Sequence, residues 1–268
     1  MNYYLNNKKV SYETTGLVEK GEEITLLSTA IDLTAHKNWA NKGFTIEPLF
    51  SENIFKEFHQ KIHDLIISLW KEAGLDVEYK FPLEHYHSIA SEKHIHIAAI
   101  EKTKTIYVER FPIPISLLEE RISEIVKVPL QVINPFGRQP TFHFRVVRPQ
   151  TNDNNPLHRD VWQKENADCI NLYIPIAGSD KNSSLSIIPE SHHWPESDIE
   201  RTKEGAVING ISYNVPAVTN IFREFEIVRV DPKENEVLVF SPYLIHGGAA
   251  NLNEDFTRIS LEIRLSKR

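Results

Sequence analysis

The sequence predicts a mainly β protein of the sandwich, jelly-roll or barrel type, with helices packed against it from the N-terminal half. Three observations predict this. Beyond about residue 136 the chain breaks into short runs rich in β-branched and aromatic residues, TFHFRVVRP, HRDVWQ, CINLYIPIAG, SLSIIPES, FEIVRV, NEVLVFSP and TRISLEIRL, separated by Pro, Asn, Gly and Asp. Clear helical spacing is confined to the first half. The composition, 41% hydrophobic and 25% charged over 268 residues, is that of a folded chain long enough to bury a large core.

In order along the chain, residues 51–73 place Ile54, Phe55, Phe58, Ile62, Leu65, Ile66 and Leu69 at spacings of three and four, with Ser51 to cap and Gly74 to stop an amphipathic helix. A second helix is expected over 116–126, where Leu117, Leu118, Ile122 and Ile125 alternate with charged residues. The strands follow. Residues 196–225 have no clear period and are expected to form a mobile pocket wall or lid. In the last run Arg258, Ser260, Glu262 and Arg264 share one strand face while Ile259, Leu261, Ile263 and Leu265 share the other, so the polar face must meet water or line a polar cavity. With no internal repeat or linker, residues 1–268 read as one domain, 1–135 mostly helical and 136–268 holding most of the β core.

Thirty Lys and Arg against 37 Asp and Glu leave a net charge of −7, the wrong sign for a nucleic-acid partner. The single cysteine, Cys169, excludes a disulfide framework or a Cys-rich zinc site and suits a reducing compartment, so a metal would need His and carboxylates. No apolar stretch is long enough to span a membrane, and the N-terminus has no leader pattern; a soluble, cytoplasmic protein is expected.

His158 and Asp160 stand at i and i+2, which on a strand turns both side chains to one face, half of a metal site. Such a pair alone is weak in a chain with 12 His. The C-terminal FSPYLIHGGAANLNEDFTRISLEIRL strengthens it: His246 ends an apolar strand, and Arg258 follows on a return strand. Two His and one carboxylate on one side of an iron leave its opposite positions open, and a nearby Arg can grip a dicarboxylate bidentately.

His158-Arg159-Asp160, His246 and the Arg258-x-Ser260 pair resemble the signature of Fe(II)- and 2-oxoglutarate-dependent dioxygenases. NSSLSIIPESHHWP and GFTIEPLFSENIFKEF are similar to segments of the phytanoyl-CoA dioxygenase-like branch, with Ser183 and Glu190 replacing two usual glycines. The resemblance implies a double-stranded β-helix (a cupin-like jelly roll), His158, Asp160 and His246 as iron ligands, and Arg258 as partner of the distal carboxylate of 2-oxoglutarate. It also implies O2 as co-substrate and hydroxylation of an unactivated C–H with release of succinate and CO2. Halogenating relatives have Gly or Ala at the carboxylate position, so Asp160 favours oxygenation. HGGAANLNEDFTRISLEIR resembles a subset associated with sugars and natural products, which suggests a polar or sugar-containing substrate over a fatty acyl-CoA.

Asn171 and Tyr173 share a polar strand face and could reach 2-oxoglutarate or substrate, or simply face solvent. Arg145 beside His143 could meet cosubstrate or an anionic substrate, or form a structural ion pair. Trp162 follows on the face of His158 and Asp160 if that strand continues, although an aromatic there more often packs. His85, His87, His94 and His96 could form a zinc site if each His-x-His pair shares a strand face, but ordinary surface or pocket rim is the better reading. His192 and His193 are expected to be structural or near the entrance. A kinase reading of His158-Arg159-Asp160 fails, because Asn166 falls one position late and no glycine-rich loop or DFG is present. A cupin-like binding protein without oxidation and a zinc hydrolase remain as alternatives.

Overall fold

The computed structural model describes residues 1–29, 33–151, 153–208 and 210–268. The chain opens with four short strands, β1 (Asn2–Leu5), β2 (Lys8–Ser11), β3 (Thr14–Thr15) and β4 (Val18–Lys20), before β5 (Phe44–Pro48) and the long helix α1 (Glu52–Glu72). α1 buries the predicted stripe, Phe58, Ile62, Ile66 and Leu69, and ends where Gly74 takes φ +89, a conformation costly for any side chain. Next come α2 (Tyr86–Ile89), α3 (Lys93–Thr103), β6 (Ile106–Tyr107), α4 (Ile115–Val126), β7 (Leu130–Ile133), β8 (Thr141–Val147) and β9 (Cys169–Ala177). The last part holds β10 (Ser186–Ile187), β11 (Ile199–Thr202), β12 (Ala206–Ile208), β13 (Ile211–Tyr213), β14 (Val218–Ile221), β15 (Val228–Arg229), β16 (Glu236–Phe240) and β17 (Arg258–Lys267).

A seven-stranded antiparallel sheet runs β5-β16-β9-β17-β8-β6, with β7 also paired to β17. Its strands alternate as expected: Ile259, Leu261, Ile263 and Leu265 are buried in one core with α1 and α4, which is what attaches the helices to this face. At about 1.5–3 kcal/mol per fully buried aliphatic side chain, that face alone is a strong anchor. The opposite face of β17 looks inward, toward a second layer. That layer is thinly built: β10 pairs β15, His246 bridges both Ile187 and His158, and Val218 N donates to Leu157 O at 2.8 Å. The two layers make the mainly β jelly-roll core. Among the described residues no helix is long and apolar enough to cross a membrane.

Several expectations change. The HRDVWQ run is not a continuous strand. His158 makes one bridge, then Asp160–Trp162 turns into a 3-10 helix because the N–H groups of Asp160 and Val161 both reach Pro242 O, at 3.1 and 3.4 Å. Likewise β16 ends at Phe240, and a turn separates it from His246. Residues 196–225 are not irregular: β11 pairs β4 and β14, and β12 pairs β3 and β13, with residue 209 outside the described residues. The first 20 residues are therefore strands rather than part of a helical half. His85 and His87 lie in short helical turns and His94 and His96 on α3, so neither pair shares a strand face. Glu190 occupies the place of a usual glycine at φ +63, keeping the turn at some backbone strain.

Candidate active site

His158 and His246 are brought side by side by reciprocal backbone hydrogen bonds, each N–H donating to the other's carbonyl at 2.9 Å, with ring centroids 4.4 Å apart. Gly247 allows this approach: at φ +101, a Cβ there would lie 2.3 Å from Pro156 O. Both rings are oriented by backbone carbonyls, His158 Nδ1 at 2.8 Å from Pro156 O and His246 Nδ1 at 2.9 Å from Leu244 O. A carbonyl only accepts, so each Nδ1 carries a proton, and it is Nε2 of each ring that is left to act as a ligand. The two Nε2 atoms face Asp160 Oδ1, at 3.4 Å from His158 and 3.9 Å from His246.

Burial, reinforced by His158, pushes His246 down to about 4, so its ring is neutral at pH 7. For Asp160 burial works toward protonation, but Arg264 and the two histidines outweigh it and hold the carboxyl well below the usual carboxylate range. Two imidazoles and an ionised carboxylate, all buried, bring their donor atoms within 4.8 Å of one another. This donor set fits a divalent metal of the iron type, with protein on one side only. Among the described residues no other cluster of His, Cys, Asp or Glu converges in this way.

The expected neighbours fall into different places. Arg258 is 1% exposed, and its Nε and Nη1 have no hydrogen-bond partner among the described residues; its guanidinium lies 5.7 Å from the Tyr173 ring centroid. A buried guanidinium with open donors fits a ligand carboxylate. Asn171 and Tyr173 do not line the cleft: Asn171 Nδ2 donates to Asp160 Oδ2 at 2.7 Å, and the Tyr173 hydroxyl joins Ser179 Oγ at 2.7 Å. Ser260 also lies off the cleft wall, with its Oγ 3.5 Å from Glu262 Oε1. Arg145 does line the cleft, but as the structural ion pair left open above. Its Nε and Nη2 donate to Glu262 at 3.3 Å each, and its Nη1 donates to Asn155 at 3.0 Å. His143 approaches the same carboxylate at 2.9 Å.

Trp162 leaves the predicted face and donates to Glu196 at 2.8 Å, where Glu196 also takes the buried Arg159 guanidinium. Arg159 thus points away from its two neighbours and pins the turn between them. His192 is held by Ala40 O at 2.8 Å, and neither it nor His193 lines the cleft. His96 does, packed between the Tyr86 hydroxyl and Asp153.

Sequence reasoning missed the partners of the inner face: Glu262, which pairs with Arg145 and hydrogen-bonds His143, and Arg264, which donates to Asp160 Oδ2 at 3.0 Å. The alternating charge along β17 was the available signal. All these groups line one cleft of about 1070 Å³, to which Gly210, Ile211, Tyr213 and Val215 also contribute, so the 196–225 segment supplies part of its wall.

A family model described as phytanoyl-CoA dioxygenase (PhyH) matches residues 41–260. Similar solved structures include EctD from S. alaskensis with 2-oxoglutarate and 5-hydroxyectoine, 14% identical, TM-score 0.49, covering 96% of this chain and 86% of that one. Another is AviO1 from Streptomyces viridochromogenes Tue57, 16% identical, TM-score 0.47, covering 85% and 90%. A third is the non-heme alpha-ketoglutarate-dependent carbocyclase SnoK from nogalamycin biosynthesis, 14% identical, TM-score 0.46, covering 92% and 87%. No curated protein matches.

Proposed function

The chain belongs to the phytanoyl-CoA dioxygenase family, and from that premise we propose that it hydroxylates an unactivated C–H bond of a small molecule. Its cofactors are Fe(II) and 2-oxoglutarate, with O2 as co-substrate. When bound, they supply the oxidising power that protein side chains lack, with release of succinate and CO2.

In this reading His158, Asp160 and His246 hold the iron, and Arg258 takes the distal carboxylate of 2-oxoglutarate. The observation that carries it is Arg258 itself: a buried cation with open N–H donors beside a three-ligand cluster in one cleft. The other inner-face cations already have carboxylate partners, Arg264 on Asp160, Arg145 on Glu262 and Arg148 on Asp153, which leaves Arg258 for the cosubstrate. The Tyr173 ring lies 5.7 Å from its guanidinium, and Ser260 follows two residues on along β17. A dicarboxylate cosubstrate gives this anion socket a role that neither a zinc hydrolase nor a non-oxidising cupin requires.

The charged inner wall supports a polar or sugar-containing substrate. Ile97 and Phe136, exposed at the cleft rim, add an apolar contact for the rest of the molecule. The whole chain works as one domain, because β3, β4 and β5 complete sheets made by the C-terminal half. A reducing, cytoplasmic setting suits the buried free thiol of Cys169. The test is succinate release from 2-oxoglutarate with Fe(II) and O2, scored across a metabolite panel. Turnover that needs zinc but neither 2-oxoglutarate nor O2 would replace this reading with the hydrolase.

A further inference from the structure

Asp160 divides its two oxygens between different partners. Oδ1 faces the two histidine Nε2 atoms, while Oδ2 accepts from Asn171 Nδ2 at 2.7 Å and Arg264 Nη2 at 3.0 Å. The two donors are not loop residues. Arg264 on β17 and Asn171 on β9 are direct cross-strand partners in the seven-stranded sheet, so the register of its central ladder sets their spacing. Asp160 itself sits on the 3-10 turn, outside that sheet, and depends on its contacts for orientation.

This matters because a carboxylate can offer a metal one oxygen or both, and the second oxygen occupies a further coordination position. With three protein ligands and a cosubstrate chelating through two atoms, a six-coordinate iron has one position left. We propose that Asn171 and Arg264 are positioning residues that restrict Asp160 to a single metal-binding oxygen, Oδ1, and so keep vacant the position that O2 requires. The proposal rests on the iron and 2-oxoglutarate reading above.

It separates from a merely supporting role by the direction of its effects. Loss of ordinary support for a ligand weakens metal binding about 10- to 100-fold. Loss of this clamp frees Oδ2 to join Oδ1 on the metal, and replacing Arg264 also removes a positive charge beside a dication, so Fe(II) binding holds or tightens while the open position closes.

The experiment is an anaerobic titration of Fe(II) in the presence of 2-oxoglutarate, followed by nitric oxide as a stand-in for O2, read by the electron paramagnetic resonance signal of the nitrosyl complex. In Asn171→Ala/Arg264→Met, Fe(II) affinity should equal or exceed that of the unaltered protein, with nitric oxide affinity down about tenfold or more, a difference of about 1.4 kcal/mol. Asn171→Ala alone keeps the buried charge pair and carries the same test should the double variant fail to fold. Its nitric oxide binding should weaken with Fe(II) affinity unchanged. Arg264→Lys, which retains a cationic donor, should rescue most of the loss. Weakened Fe(II) binding with undiminished nitric oxide affinity at saturating iron would overturn the clamp and leave the iron site standing. Failure of the unaltered protein to form any Fe(II)–2-oxoglutarate complex would overturn the functional reading, and the clamp with it.

Discussion

Replacing Arg258 by Lys tests the proposed cosubstrate socket without removing its charge. The guanidinium is 1% exposed and has Nε and Nη1 open, so it can meet a carboxylate with two parallel N–H donors; an ammonium cannot reproduce that planar fork. Losing about 2–3 kcal/mol of charge-assisted contact weakens 2-oxoglutarate binding roughly 30- to 150-fold. The assay is thermal unfolding with Mn(II) as a redox-inert metal. At a 2-oxoglutarate concentration about 100 times its dissociation constant, binding adds about 2.7 kcal/mol of stability. In Arg258→Lys the same concentration adds only about 0.3–0.9 kcal/mol. At roughly 2–4 °C per kcal/mol for a chain of this size, the ligand-induced shift falls from about 5–11 °C to about 1–4 °C. Metal-induced stabilisation without 2-oxoglutarate should be unchanged. An undiminished 2-oxoglutarate shift in folded Arg258→Lys would refute the socket and move the anchor to another cation of the cleft, with Arg145 next in line.

Three further outcomes are expected. His158→Ala, Asp160→Ala and His246→Ala each remove one of three converging donors, so each should lose Fe(II) binding in an anaerobic titration; iron-dependent turnover intact in any of them would sink the ligand assignment. Glu196→Ala strands the buried Arg159 guanidinium and should cost about 3–5 kcal/mol in urea unfolding, whereas a cost under about 1 kcal/mol would show the pair to be incidental. His96 is pushed down to about 4, chiefly by burial, against Asp153, which works the other way, with Arg148 also facing it. The unfolded chain therefore takes up this proton first as the pH falls. The stability His96 contributes is complete above about 6.5 and is lost from there toward 4. His96→Gln should flatten the pH dependence of the urea midpoint in that window, and an unaltered slope would assign the acid sensitivity to other groups.

The parts of the molecule legible in the sequence are those whose information is local. α1 could be read because seven apolar residues at helical spacing all serve one contact, and β17 because a two-residue alternation separates the core from the cleft. The three converging side chains could be named because short patterns carry them, yet the physical route to their convergence was hidden. His158 and Asp160 do not share a strand face; the chain bends between them, because Pro242 O, 82 residues after Asp160, captures two N–H groups. The same holds for β4 and β11, which are too short to be periodic and find each other across about 180 residues.

Charge pairing was the least legible of all. Arg145, Arg258 and Arg264 are three arginines on polar strand faces; a short motif singles out Arg258, but only the cross-strand register shows what each of them pairs with. Glu262, opposite His143, lies within reach of Arg145, and Asn171, opposite Arg264, brings both donors to Asp160. Arg258 lies opposite Val147, where the sheet offers no carboxylate. What sets Arg258 apart is thus an unfilled valence in the ladder, a property that no single residue of the sequence carries.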